Sequence, residues 1–141
     1  MRYLGLDLGV KTLGVAISDK TNTLASPLTL IEFERENYDE AIDKLLKIIE
    51  EYNIKEVVLG LPKNMDNSLG FASKRSLNFK SMLEDKGIVV HLEDERLTTV
   101  SALNILKDNG IHKINEKKKT DIVSAVIILE SFLRKIWKII N

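Results

Sequence analysis

Asp7 interrupts an otherwise apolar run, YLGLDL, in which an unpaired carboxylate is costly to bury. Either it stands near the carboxyl end of a central strand, where open α/β sheets place their sites, or it closes the strand by hydrogen-bonding the turn at Gly9. A second acidic group, Glu93-Asp94-Glu95, follows another strand-like run and is followed by Arg96. Glu93 and Glu95 share a face if that strand stays extended, whereas three adjacent acids on a surface turn are ordinarily solvated. Asp121 follows Lys117-Lys118-Lys119-Thr120. As an opening helical residue it would interact favourably with the helix dipole and need no further role. Ser124-Ala125 on the next turn permit that helix to approach a sheet closely, which would let Asp121 face Asp7. Carboxylates converging from such separate positions suit hard divalent cations, Mg²⁺ or Mn²⁺. Two such ions about 3.5–4 Å apart support phosphoryl transfer by activating water and stabilising the leaving oxygen.

The elements that must position these acids follow from periodicity. Residues 3–8 and 12–18 read as strands joined by Gly9-Val10-Lys11, short enough for an antiparallel hairpin. A third strand lies within 24–33, with Pro27 near an edge or an irregularity because it cannot donate to the ladder. From Asp39 to Tyr52 apolar residues recur at helical spacing. Residues 56–61, EVVLGL, suit a strand covered on both faces, and 62–70 form a turn-rich loop. A helix from Phe71 to Glu84 ends at Gly87, placed as a C′ residue, and precedes a strand over Ile88–Leu92. Thr98 or Thr99 can cap a helix to about Lys107 that Asn109-Gly110 end. Residues 111–119 are expected to be mobile. Thr120 then caps a final helix, 121–138, whose apolar face is Val123, Val126, Ile127, Phe132 and Ile136. The order β-β-β-α-β-α-β-α-α gives three antiparallel strands followed by parallel crossovers. This is an α/β, ribonuclease H-like mixed five-stranded sheet flanked by helices, expected as one domain over residues 1–141.

Composition bounds the chemistry further. The chain contains no cysteine, which excludes disulfides, thiolate metal sites and a thiol nucleophile. Metal must then be held mainly by oxygen, with His91 and His112 the sole imidazoles. No apolar run approaches the roughly 20 residues of a membrane span, and no export signal is visible, so a cytoplasmic location is expected. Lys plus Arg balance Asp plus Glu at 21 each. The halves differ: residues 1–70 carry 8 basic and 12 acidic side chains, residues 71–141 carry 13 and 9. A polyanion is expected to meet the second half, because local potential steers association.

GLDLGVKTLGVAISD (5–19), GLPKNMDNSLG (60–70), EDERLTT (93–99) and KKKTDIVSAVIILESFL (117–133) resemble, in order and spacing, the YqgF/RuvX family. The likeness spans essentially the whole chain. That family is related to the RuvC Holliday-junction resolvases and is described as a pre-ribosomal-RNA nuclease. The resemblance implies a catalytic and metal-binding triad of Asp7, Glu95 and Asp121. It also implies a hydrolase that processes the 5′ end of the small-subunit ribosomal RNA precursor with two ions. RuvC enzymes carry an acid on the strand matching 56–61; here that strand ends Leu59-Gly60-Leu61-Pro62, so Glu95 must fill the gap from the neighbouring strand. Thr12-Leu13 stand where an Arg-Ile pair is common, which removes a basic substrate contact at Thr12.

Lys11, Lys63, Arg96, Lys117, Lys118 and Lys119 should border the same sheet end and bind phosphates without reading sequence. Each alone is an ordinary solvated charge. Asn64, Asp66 and Asn67 serve turn formation better than substrate contact, and Phe132 and Trp137 fit a core face better than a stacking platform. His91 is expected to pack at a strand end and His112 to lie on the surface. The expected partners are precursor ribosomal RNA, and with it ribosomal particles, or branched DNA. Two alternatives stand beside the ribosomal nuclease: a junction resolvase acting on DNA, and a binding module that has kept the fold and lost the chemistry.

Overall fold

The computed structural model describes residues 1–62, 70–94 and 116–140, with backbone alone for residues 116–120 and 140. Its strands are β1 (Tyr3–Leu8), β2 (Thr12–Ser18), β3 (Ala25–Glu32), β4 (Glu56–Leu61) and β5 (Val89–Asp94). Its helices are α1 (Tyr38–Glu51), α2 (Phe71–Asp85) and α3 (Glu116–Ile140). The helix expected from Thr98 or Thr99 to Lys107 lies outside the described residues.

The strands form one sheet in the order β3-β2-β1-β4-β5. β1 pairs antiparallel with β2, and β2 with β3; β4 runs parallel to both β1 and β5. This is the mixed five-stranded sheet expected from the element order. Pro27 sits on the edge strand β3, beside the register shift opposite Val15 and Ala16, where its missing N–H interrupts no inner ladder. Gly87 follows α2 with φ of 82°, and its N–H donates to the Glu84 carbonyl at 2.9 Å, as a C′ glycine should. Asn37 caps α1 by accepting from the Glu40 N–H.

Two apolar layers enclose the sheet. On one face Leu4, Leu6, Leu13, Val15, Val57 and Leu59 pack with Ile42, Leu45 and Ile49 of α1 and Phe79 and Leu83 of α2. On the other, Ala16 and Val58 pack with Ala125, Val126, Ile128, Leu129 and Leu133 of α3. The apolar face of α3 therefore differs from the expected one: Val123 and Val126 are buried as expected, but Ile127, Phe132 and Ile136 are half-buried and the core contacts run through Leu129 and Leu133.

α3 lies very close to the sheet. A Cβ on Gly5 would stand 2.6 Å from the Ala125 carbonyl oxygen and 2.7 Å from the Leu129 Cβ. A Cβ on Gly14 would collide with the Asp121 carbonyl group. Small residues on both sides make this approach available: glycine on the strands, Ser124 and Ala125 on the helix. Because the obstacle at Gly14 is main chain, it cannot rotate away. Gly14→Ala should lower stability by about 1–3 kcal/mol, as overpacked cores do, and a chain of this size then melts lower by about 2–4 °C per kcal/mol. Thermal melting checks this, and an unchanged midpoint would contradict the close approach.

Candidate functional site

Asp7 is the fifth residue of β1 and pairs with Gly14 of β2. Directly opposed residues point to the same face, and so do alternate residues along a strand. Asp7 therefore shares the α3 face with Gly5 and Gly14. Since the Asp121 carbonyl lies against Gly14, the chain's folding brings Asp7 and Asp121 together from its two ends. Both are half-buried. The Thr12 hydroxyl, at the start of β2, donates to Asp121 Oδ2 at 2.8 Å. Thr12 lies on the turn side of Gly14, so this bond draws the Asp121 carboxylate towards the carboxyl end of β1.

The same face continues across β4 and β5. Gly60 pairs with Glu93, and Val58 with His91. β5 stays extended through Asp94, two residues beyond the expected end at Leu92. Glu93 is consequently not a solvated turn residue: it is 4% exposed, accepts from Ser131 Oγ at 2.8 Å and pairs with Lys135 Nζ at 2.6 Å. Glu95 lies outside the described residues. Among the described residues no three His, Asp or Glu side chains gather as a metal set, and Asp7 and Asp121 supply two carboxylates. Their chemistry, oxygen donors on one half-buried sheet end, fits a hard divalent cation.

Residues 1–135 match the family described as "RuvX: Holliday junction resolvase". The chain belongs to the RuvX family. A Lactobacillus gasseri member named "Putative pre-16S rRNA nuclease" is 43% identical over 136 residues, covering 94% of this chain and 95% of that one. A member of the same name from Aster yellows witches'-broom phytoplasma is 46% identical over 132 residues, covering 92% and 87%. Among solved structures, T. thermophilus RuvC in complex with a Holliday junction substrate matches with a TM-score of 0.58 at 15% identity, covering 97% and 96%. At that identity the likeness establishes the ribonuclease H-like fold.

In this RuvX chain the last helix begins at Glu116, so Thr120 is not its cap, and residues 116–119, expected to be mobile, are helical. Asp121 is in the second turn, beyond the first-turn range over which a helix dipole favours an acid. Lys117, Lys118 and Lys119 occupy the turn preceding Asp121, and Lys11 is exposed in the hairpin turn just beyond Asp7. Lys63 and Arg96 lie outside the described residues, as do Asn64, Asp66, Asn67 and His112. His91 is inside β5 rather than at its end; its Nε2 is 2.7 Å from Glu56 Oε1, and its ring packs at 4.7 Å from that of Phe132. Burial, and secondly the Glu56 charge, raise the pKa of the neighbouring Tyr3 hydroxyl. Trp137 does not fit the core face expected of it: it is 57% exposed.

Sequence reasoning missed Thr12 and Glu93. The signal for Glu93 was present in Ser131 and Lys135, four apart on one helix and so on one face. Replacing Lys135 with Met should leave the buried Glu93 carboxylate with Ser131 and lower stability by about 1–2 kcal/mol, a charged hydrogen bond discounted because the lysine itself is largely exposed. A urea midpoint unchanged from the wild type would mean that water replaces the ammonium without cost.

Proposed function

We propose that this RuvX-family chain is a nuclease that hydrolyses nucleic-acid phosphodiester bonds, with Asp7, Glu95 and Asp121 as its catalytic, metal-holding carboxylates. The observation that carries the reading is the seating of the α3 backbone on Gly14, which sets Asp121 on the same face as Asp7. Glu95, outside the described residues, is included because the EDERLTT motif (93–99) resembles the family's acidic motif. The natural substrate on this reading is the small-subunit ribosomal RNA precursor, as the names of the relatives suggest; action at its 5′ end and in the cytoplasm is part of the same proposal. Among the described residues no helix is long and apolar enough to cross a membrane, which accords with that location.

Mg²⁺ or Mn²⁺, as two ions, would supply an activated water and neutralise charge on the phosphoryl and leaving oxygens. The protein's own residues hold and orient. Asp7 stands on a strand hydrogen-bonded on both sides, so its backbone cannot yield. Asp121 is fixed through main-chain packing. Lys11 and the lysines at 117–119 border this sheet end and can hold phosphates without reading bases. A pure binding module gains nothing by collecting carboxylates where phosphate must sit. The family description favours a second reading, resolution of branched DNA, which requires a symmetric dimer to cut two strands.

Wild-type protein and Asp7→Asn, incubated with labelled ribosomal precursor, single-stranded RNA and a four-way DNA junction, in Mn²⁺ and in chelator, test this directly. Wild-type protein should cleave the precursor in Mn²⁺ and lose activity in chelator, and Asp7→Asn should be inactive in both. Junction cleavage by a dimer would establish the second reading. Melting in chelator should be level or higher for Asp7→Asn, because like-charged carboxylates repel when no cation is present. A strand-closing Asp7 would instead lose about 1 kcal/mol on substitution. An Asp7→Asn protein that melts lower yet cleaves normally would overturn the assignment.

A further inference from the structure

We propose that Thr12 is a positioning residue for Asp121, its hydroxyl holding that carboxylate in the orientation that completes a cation site with Asp7; this rests on the metal-site reading above. The backbone of Asp121 is placed by its contact with Gly14, but two side-chain torsions remain to be set. A hydrogen bond from the hairpin constrains them. Thr12 Oγ1 donates to Asp121 Oδ2 at 2.8 Å across a sequence separation of 109 residues. The hydroxyl is the donor and a carboxylate oxygen the acceptor, and hydrogen bonds to carboxylates are the stronger kind.

Three features suit Thr12 to this task. Its backbone is fixed, since the Gly9 N–H donates to the Thr12 carbonyl at 2.8 Å and closes the hairpin, and Thr12 pairs with Glu32 on β3. Its side chain is β-branched and confined at χ1, so the hydroxyl is presented in few directions. It shares the α3 face with Gly14 and stands closer to the hairpin turn, so it directs the carboxylate towards the mouth beside Asp7 and away from the apolar contacts of Ala125 and Leu129. A neutral donor does this without placing a fixed cation where a divalent ion must bind. Position 12, where a basic substrate contact was expected to be lost, thus acts on the site through its carboxylate.

Thr12→Val keeps the shape and branching and removes the hydroxyl; Thr12→Ser keeps the hydroxyl and removes the methyl. Calorimetric titration of metal-free protein with Mn²⁺ should show affinity falling about 10- to 100-fold in Thr12→Val, the usual loss when a partner that orients a metal ligand is removed. Thr12→Ser should recover most of it. Cleavage by Thr12→Val should be restored by raising Mn²⁺, with KM for the nucleic acid unchanged. Asp121→Asn in the same titration separates the two claims. If Asp121→Asn binds Mn²⁺ as wild type does, or wild type binds none, the metal-site reading fails and this inference with it. If Asp121→Asn loses Mn²⁺ while Thr12→Val retains wild-type affinity, or Thr12→Ser is as impaired as Thr12→Val, the positioning role alone is overturned.

Discussion

A side chain at residue 14 would occupy the space of the Asp121 carbonyl, and one at residue 5 that of the Ala125 carbonyl, so α3 reaches the sheet because both positions are glycine. Close packing transmits this constraint in both directions. The strand hairpin fixes where the helix can sit, and the helix fixes where Asp121 can be. Leu129 and Leu133 then seal the lower part of the same contact with Val58 and Ala16. The result is a carboxylate from the last helix brought towards the end of the first strand by main-chain packing, with the Thr12 hydroxyl donating to it.

The charged groups on this face fall into two sets along the helix. Towards the middle of α3, Lys135 and Ser131 satisfy the buried Glu93, and Glu56 meets His91 beside Phe132. Glu93 thereby fastens β5 to the helix, and Glu56 joins β4 to β5 through His91. Towards the helix start, Asp121 is met by the Thr12 hydroxyl. If Asp7 and Asp121 hold a cation as proposed, their like charges would repel when it is absent, a cost in stability that functional sites commonly carry.

The sheet type and the order of the described elements were legible because alternation and helical spacing are local signals, and Pro27 and Gly87 announced an edge and a helix end by chemistry specific to those residues. Asp7 stood out as an acid in an apolar strand. The start of α3 was misplaced because Thr120 and Asp121 imitate a cap and first-turn acid, while the helix runs a further turn through the lysines. Thr12 was not legible: a hydrogen bond between residues from opposite ends of the chain leaves no periodic trace. The close approach was half-read, from Ser124 and Ala125; glycines inside strands at 5 and 14 carried the other half of the signal.

The proposed function requires Asp7 and Asp121 to form one cation site. Its most direct measurement is paramagnetic broadening of backbone amide signals by substoichiometric Mn²⁺ in the wild-type protein. With one cation held between them, the signals of Asp7, Gly14 and Asp121 should broaden first and together, ahead of those around Glu93 and Glu56. Broadening centred on Glu93, or spread over the acidic surface of α1 with Asp7 and Asp121 unaffected, would contradict it.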